Sequence, residues 1–472
     1  MQDFERPTIA RLPYVFRPVS RIVQATRTLR HPPRTIGVGG VIAGFLLLIS
    51  TGTVLLSLPV SLAPGQDFDF LTSLFTATSA VCVTGLVVVS TAEHWSTFGQ
   101  GVILVLIHLG GLGIMTASIF ILVVFRRSVS IREHFEIAES AGILRLRSVP
   151  SMIVAIVLIS LIIEGAGAAV IFYDLRRLGP DTGPTLWRAA FHSISAFNNA
   201  GFDLEGGFSS LSGLARSPVT LLTMASEVIL GGLSVIVLIN IIGSHSWRRL
   251  TLQTKLVLLV SGFLLLAGFL GTLGGEFYNE TTIGPLSWPD KLVNAFFHSV
   301  TTRTAGFSTV PVLGISDEVQ VLTMLMMIVG GATGGTAGGI KVNTFAVILL
   351  AAWAASRGYD HVRIFGTEIS HTLVFRAVGV ATIYLMLIML ATAILSVSEG
   401  FLFRQILFES VSALGTVGLS TGITPELSAI GKIVLVCLMF TGRVGPLFIA
   451  YSLAKERREP HFRLPESKLA IG

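Results

Sequence analysis

Four short phrases in the sequence share a form that suggests ion chemistry without side-chain charge. They read SAVCVTGL from Ser79 to Leu86, SAFNNAGF from Ser195 to Phe202, TTRTAGF from Thr301 to Phe307 and SALGTVGL from Ser412 to Leu419. Each closes on a glycine followed by a large apolar residue. The triads at their ends are Val83, Thr84, Gly85; Asn199, Ala200, Gly201; Thr304, Ala305, Gly306; and Thr416, Val417, Gly418. None of these holds a carboxylate, a thiolate or a paired nucleophile and base. What they share is main chain that can adopt unusual dihedrals at glycine. Four such turns around one axis could aim carbonyl oxygens inward, and a ring of carbonyls can replace the hydration shell of an alkali cation. Uncharged oxygens suit a monovalent ion that must both bind and leave, whereas a divalent cation ordinarily takes carboxylates.

The elements that must position these phrases are readable from the apolar pattern. Gly85, Gly201, Gly306 and Gly418 recur at intervals of 116, 105 and 112 residues, too long for a solenoid. A phenylalanine precedes the glycine by ten residues at Phe75, Phe191 and Phe408, and by nine at Phe297. Thr76, His192, Glu409 and His298 follow those phenylalanines directly. Segments near 69–81, 185–197, 289–301 and 402–413 are amphiphilic and too short to cross a bilayer, as re-entrant helices are. Apolar runs lie near 37–60, 101–125, 150–173, 217–243, 256–275, 319–355, 372–397 and 429–454. The expectation is an all-α polytopic membrane protein, with four helix–pore-loop–helix repeats about a pseudo-fourfold axis. That makes eight transmembrane helices and four short pore helices. One glycine phrase could be explained by close helix packing; four in one register could not. Non-helical backbone at membrane depth survives only where it lines water or is buried in protein.

Composition agrees: 52% of the 472 residues are hydrophobic and 13% charged, well below the roughly 25% charged of soluble domains. Two isolated cysteines give neither a disulfide framework nor a zinc site. The net charge of +6 is spread over loops, as a membrane protein requires, and implies no nucleic-acid partner. Most lysines and arginines fall in an arm at 1–36, loops at 126–149, 244–255 and 356–371, and a tail at 455–472. These segments are expected to be cytoplasmic, with both termini inside and the basic arm on anionic lipid. The repeats then span 37–125, 150–243, 256–355 and 372–454, and all four phrases face outward.

A second glycine series lies in the later span of each repeat: HLGGLGIM at 108–115, LGGLSVI at 230–236, VGGATGGTAGGIKVNT at 329–344 and FTGRVGP at 440–446. In the third, Gly330, Gly331, Gly334, Gly335, Gly338 and Gly339 crowd one stretch before Lys341. Glycine costs a helix roughly 1 kcal/mol relative to alanine, so this span should open into a loop over 330–344. Lying below the phrases, that loop could close a pore. Arg443, inside an apolar run, needs acceptors there. Arg303 is expected to brace the third phrase from behind, with Glu409 as a partner. Glu164 and Glu227 should cap broken backbone or pair with a base, and His108 reads as a hydrogen-bonded packing residue.

On these phrases the chain resembles the Trk/Ktr/HKT superfamily of potassium transporters over essentially its whole length, and the Ktr-type membrane subunit most. The resemblance implies potassium uptake across the plasma (inner) membrane through a selectivity filter at the four triads, with an intramembrane gating loop in the third repeat that an arginine contacts. It implies a homodimer on a cytosolic ring of regulatory subunits that bind adenine nucleotides, with no organic cofactor on this chain. Members of the family are often sodium-stimulated. In related plant transporters a glycine at the first filter position goes with potassium selectivity and serine with sodium; here that residue is Gly85. A coupled ion–solute secondary transporter is the competing reading, but such folds favour inverted repeats, and here every phrase faces the same way. An intramembrane enzyme finds no HExxH motif and no credible GxSxG.

Overall fold

The computed structural model describes residues 38–126, 149–177, 182–244 and 246–454. The arm at 1–36, most of the loop at 126–149 and the tail at 455–472 lie outside them. The described chain is mostly helical. Its first third comprises α1 (Val38–Leu56), α2 (Phe70–Cys82), α3 (Thr97–Arg126), α4 (Val149–Leu175) and α5 (Thr182–Phe197). The middle holds α6 (Pro218–Gly232), α7 (Val235–Ser244), α8 (Leu252–Glu276), α9 (Trp288–Thr301) and α10 (Asp317–Ile328). The last part holds α11 (Val342–Ser356), α12 (His371–Ser398), α13 (Phe403–Gly415) and α14 (Ala429–Ala454).

Among the described residues, five stretches, Gly39–Leu56, Thr97–Ala117, Ile153–Leu175, Leu252–Glu276 and His371–Ser398, are helical, long and apolar enough to cross a bilayer. Their outward side chains, such as Leu47, Ile162, Phe263 and Met386, are large, apolar and exposed, the surface that hydrocarbon covers.

The short helices α2, α5, α9 and α13 sit inside this frame. Asp69 starts α2 by accepting from the N–H groups of Leu71 and Thr72, at 3.3 and 3.0 Å. Ser287 caps α9 through the Asp290 N–H. Each short helix packs on the long helix before it: α2 on α1, α5 on α4, α9 on α8 and α13 on α12. The next helix of each group then touches the short helix of the following group: α3 meets α5, α6 meets α9, α10 meets α13, and α14 returns to α2. The contacts close a circle. Phe75, Phe191, Phe297 and Phe408 are fully buried within it. With no water to exclude between helices in lipid, such rings stabilise through dispersion contacts that a smaller side chain would forfeit.

Two features depart from the sequence reading. The apolar run at 217–243, taken as one span, is two helices bent by 94° between Gly232 and Val235. Ser234 takes a positive φ of 74° in the break. The chain is also not wholly helical. Within the loop at 356–371, β1 (Val362–Ile364) and β2 (Thr367–Ile369) pair antiparallel, Val362 opposite Ile369. Phe365 and Gly366 make the turn with positive φ of 50° and 74°, as a two-residue hairpin requires. Val362 and Ile369 bury against Ala354 of α11. The alternation of apolar and charged residues in both strands explains the correction.

Candidate functional site

The four triads converge. Their first residues, Val83, Asn199, Thr304 and Thr416, all have positive φ, at 54°, 57°, 68° and 48°. Three of these are β-branched, for which a left-handed conformation costs about 1–3 kcal/mol each. The glycines Gly85, Gly201, Gly306 and Gly418 follow with φ of 90°, 71°, 81° and 99°. Four separate stretches thus hold one strained backbone shape.

Hydrogen bonding shows what keeps it. Thr84, Ala200 and Val417 each donate their N–H back to the carbonyl of Ser79, Ser195 and Ser412, at 2.8, 2.8 and 2.9 Å. Ala305 donates to Thr301 at 2.9 Å. These are the residues that open the four phrases, and their hydroxyls also work. Ser79 and Ser412 accept from Gly85 and Gly418, both at 3.1 Å. Ser195 and Thr301 donate to the carbonyls of Phe202 and Phe307, both at 2.7 Å. The N–H groups therefore point into the short helices. Among the described residues, none donates a hydrogen bond to any of the twelve triad carbonyls. Buried carbonyls are nearly always partnered, so twelve free ones in one place are a binding surface for something that accepts oxygen lone pairs.

The ring is tight. A methyl group on Gly85 would stand 2.5 Å from the carbonyl oxygen of Ala200, and one on Gly201 2.9 Å from that of Ala305. On Gly306 it would strike the carbonyl of Val417, and on Gly418 that of Thr84. Each phrase abuts the next in chain order and the fourth meets the first. The short helices end within three residues of the triads, so their negative dipole ends face the ring and favour a cation there.

Side chains following the buried phenylalanines secure the chain leaving the ring. His192 accepts from the Leu204 N–H at 3.2 Å. Glu409 accepts from Thr421 N–H and from the hydroxyls of Ser420 and Thr424, each at 2.8 Å. His298 instead meets Thr323 of α10 at 3.0 Å. Glu409 is thus fully engaged by the chain that follows the fourth phrase, and the expected pairing with Arg303 does not occur. Arg303 reaches the carbonyl of Gly330. A cation next to freed main-chain carbonyls needs no carboxylate.

Above the ring lies a cavity of about 530 Å³, lined by all four glycines, several serines, Asp203 and Glu426 and, among the described residues, by no lysine or arginine. Burial pushes the Asp203 carboxyl up to about 6; the Glu205 N–H it binds opposes this. Below the ring, the stretch 329–341 leaves helical geometry between α10 and α11. Gly330 and Ile340 bond across its neck at 3.0 Å. Gly334 and Gly339 have φ of 85° and 64°.

The loop hangs from the underside of the triads. Gly338 N–H donates to Thr304 Oγ1 at 3.1 Å, and Thr336 Oγ1 donates to Asn199 Oδ1 at 2.9 Å. A side chain on Gly338 would collide with Thr416, and Gly331 and Gly335 face Gly232 as closely. The bend after Gly232 explains the other attachment. It frees two carbonyls, and Gly231 and Gly232 accept from Thr336 and Ala332 at 3.1 and 2.9 Å. Arg443 donates to the carbonyls of Thr336 and Gly110, the latter at 3.3 Å. Lys341 Nζ donates to Ala337 O at 2.5 Å. A second cavity of about 500 Å³ opens beneath, lined by Thr333, Gly339, Lys341 and Arg443 among others. Cavity, ring, loop and cavity are thus stacked.

Sequence reasoning missed the bend, its freed carbonyls and the reach of Arg303. The only signal was the pair of glycines before Leu233 and Ser234. Among the described residues, no group of three or more His, Cys, Asp or Glu gathers as metal ligands.

Comparison with known proteins agrees with this geometry. The model of the TrkH family, described as a cation transport protein, matches residues 26–461. The potassium/sodium uptake protein NtpJ of Enterococcus hirae is 36% identical over 439 residues, covering 91% of this chain and 96% of its own. The Ktr system potassium uptake protein B of Bacillus subtilis is 35% identical, covering 93% and 97%. The crystal structure of the potassium transporter TrkH from Vibrio parahaemolyticus shares the fold, with a TM-score of 0.71 at 19% identity over 92% of this chain and 88% of that one. The chain therefore belongs to the TrkH cation transport family, a family of ion transporters and not of enzymes.

Proposed function

We propose that this protein is the ion-translocating membrane subunit of a potassium uptake system, with the four triads as its selectivity filter. The observation that carries the reading is the closed ring of phrases whose N–H groups turn back into the pore helices while twelve carbonyls stay unbonded. In this reading four helix–pore-loop–helix units surround one axis. Potassium sheds water in the outer cavity, passes the carbonyls and meets the loop at 330–344, which is the gate. Lys341 and Arg443 hold that loop by neutralising freed carbonyls without facing the filter. The names of NtpJ and of the Ktr proteins, potassium/sodium and potassium uptake, support cation uptake as the activity. Both termini are cytoplasmic, and a homodimer docks a cytosolic nucleotide-binding ring through its basic loops, with sodium as an activator.

Uptake of potassium and sodium into proteoliposomes tests this. The protein should pass potassium down its gradient with no organic solute present. Gly85→Ser adds a side chain against Ala200 O and should lower the potassium-to-sodium ratio at least about tenfold, the effect of 1.4 kcal/mol. An unchanged ratio in Gly85→Ser and in the matching variants at Gly201, Gly306 and Gly418 would sink the assignment. A strict requirement for an organic co-substrate would favour the secondary-transporter reading instead.

A further inference from the structure

Behind the second phrase lies a group of polar residues that ion passage through the carbonyls does not use. Glu164 of α4 and Glu227 of α6 are 3% and 2% exposed. Among the described residues, no lysine or arginine pairs with either. Ser193 of α5 stands between them. Its Oγ is 2.6 Å from the main-chain carbonyl of Glu164 and also in hydrogen-bond contact with Glu227 Oε1. A carbonyl can only accept, and a hydroxyl has a single proton to give. With that proton on the Glu164 carbonyl, the contact to Glu227 needs a proton from the glutamate itself.

Electrostatics favours the same placement. Glu227 Oε2 is buried and has no partner. An ionised carboxylate with one orphaned oxygen and no cation is costly at this depth. The elements packed on α6 offer no compensation. On α4, Asp174 holds Thr220, and the group that shares Ser193 with Glu227 belongs to a second acidic residue, Glu164, not to a base. On α5, Arg188 and His192 face Glu205. On α9, Lys291 binds the Phe277 carbonyl, Asp290 meets Ser287 and His298 meets Thr323; Arg303, just beyond, binds Gly330. Glu164 has partners on one oxygen: its Oε1 accepts from Asn198 Nδ2 at 2.9 Å and lies 3.3 Å from His108 Nδ1, while its Oε2, like that of Glu227, is buried without one among the described residues.

We propose that Glu227 is a neutral, protonated acid within the membrane and that Glu227 and Glu164 are positioning residues of the second filter phrase, so that loss of the Glu227 proton loosens that phrase and weakens selectivity. This rests on reading the triads as the filter. Asn198, held by Glu164, directly precedes Asn199, the strained first residue of the second triad. Glu227 lies one helical turn before Gly231, whose carbonyl holds the glycine loop through Thr336. The proton therefore sits where pore helix, filter and the bent α6 meet. Deprotonation removes the donor to Ser193 and leaves an uncompensated negative charge beside the Glu164 carboxyl.

Two measurements on the full chain in liposomes test the proposal. Infrared spectra of the wild type should show the carbonyl stretch of a protonated carboxylic acid at neutral pH, and Glu227→Gln should remove it. The potassium-to-sodium uptake ratio of the wild type should fall on the alkaline side, by about two- to tenfold if one hydrogen bond of typical strength is lost. Glu227→Gln cannot ionise and can still donate to Ser193, so its ratio should stay flat over the same pH range. Glu227→Ala should show the weakened ratio at every pH. No loss of the infrared band in Glu227→Gln would place the serine proton on an ionised Glu227 and overturn the protonation. Loss of the band with parallel alkaline falls in wild type and Glu227→Gln would overturn the positioning role. Gly201→Ala serves as the separate check on the filter: a ratio unaffected by it would defeat the filter reading while leaving the infrared result to stand alone.

Discussion

The ring at Gly85, Gly201, Gly306 and Gly418 and the loop from Gly330 to Gly339 both depend on glycine, and they use it differently. In the ring, each glycine lets two neighbouring phrases touch, and every phrase is held from its own short helix through an opening serine or threonine. Removing one contact elsewhere leaves the other three phrases supported. In the loop, the neck bonds between Gly330 and Ile340 are local, but the attachments beyond belong to other elements: Gly231, Gly232, Thr304, Asn199 and Arg443. A structure held by its own helix is rigid, while one held by its neighbours moves when they do. In the proposed function selectivity needs the first property, since a carbonyl ring that relaxes stops discriminating. Gating needs the second.

The largest expected effect lies in the ring. Gly418→Ala combines a φ of 99°, which alanine rarely adopts, with a methyl group driven against the Thr84 carbonyl and 3.1 Å from Gly85 Cα. Left-handed strain and overpacking together cost several kcal/mol, so potassium uptake should fall by at least about 100-fold. Gly379, in α12, has open space where its side chain would be, and Gly379→Ala should leave uptake within about twofold, since alanine also suits a helix better. Comparable losses in both variants would mean that glycine content, and not the ring, governs transport.

A smaller and opposite effect belongs to the loop. Deleting 334–338 removes the donors at Thr336 and Gly338 and the carbonyls that Arg443 and Lys341 bind. At about 1 kcal/mol net per hydrogen bond, unregulated potassium flux should rise at least about tenfold. Arg443→Ala removes two bonds but also relieves the cost of a buried guanidinium, so its rise should be only about threefold. Neither change should alter the potassium-to-sodium ratio, because Thr84, Ala200, Ala305 and Val417 keep their bonds to the short helices. A well-folded deletion with unchanged flux would remove the gate from the loop, and an altered ratio in Arg443→Ala would move that arginine's role to the filter.

The sequence made the ring more legible than the loop for the same physical reason. Each phrase carries its own instructions: an opening Ser79, Ser195, Thr301 or Ser412 for the backward hydrogen bonds, and a glycine at the close approach. Local chemistry repeated four times survives reading one segment at a time. The glycine cluster announced that a helix must break, but not what would hold the broken piece, because its partners lie in other elements: α6, about a hundred residues away, and the second and third phrases, 137 and 34 residues away. The 94° bend in α6 and α7 was hidden for a related reason. Leu230 to Ile236 is as apolar as its flanks, so hydropathy runs unbroken through a break that the tertiary contacts to Thr336 and Ala332 stabilise. Arg303 shows the limit of pairing charges by sign alone. Its partner is the uncharged Gly330 carbonyl, exposed only once the loop has formed.

The smallest expected effect separates the ring from its surroundings. Asp203 lines the outer cavity just past the second phrase, and its carboxyl ionises near pH 6 because burial opposes the charge. As pH rises through about 6, a negative charge therefore appears in a cavity that contains no basic side chain. A charge in the cavity wall raises the local cation concentration without touching the triad carbonyls. It should act on potassium and sodium alike. The apparent KM for potassium should fall by about twofold between pH 5 and 7 at low salt, and the change should fade as ionic strength rises and screening shortens the field. Asp203→Asn removes the charge at every pH, so its KM should be flat over that interval and equal to the acid-side value of the wild type. The potassium-to-sodium ratio should not move in either protein. A ratio that shifts with Asp203→Asn would show that the loop leaving the second phrase transmits strain into the triad, and the ring would then be less self-supporting than its hydrogen bonds imply.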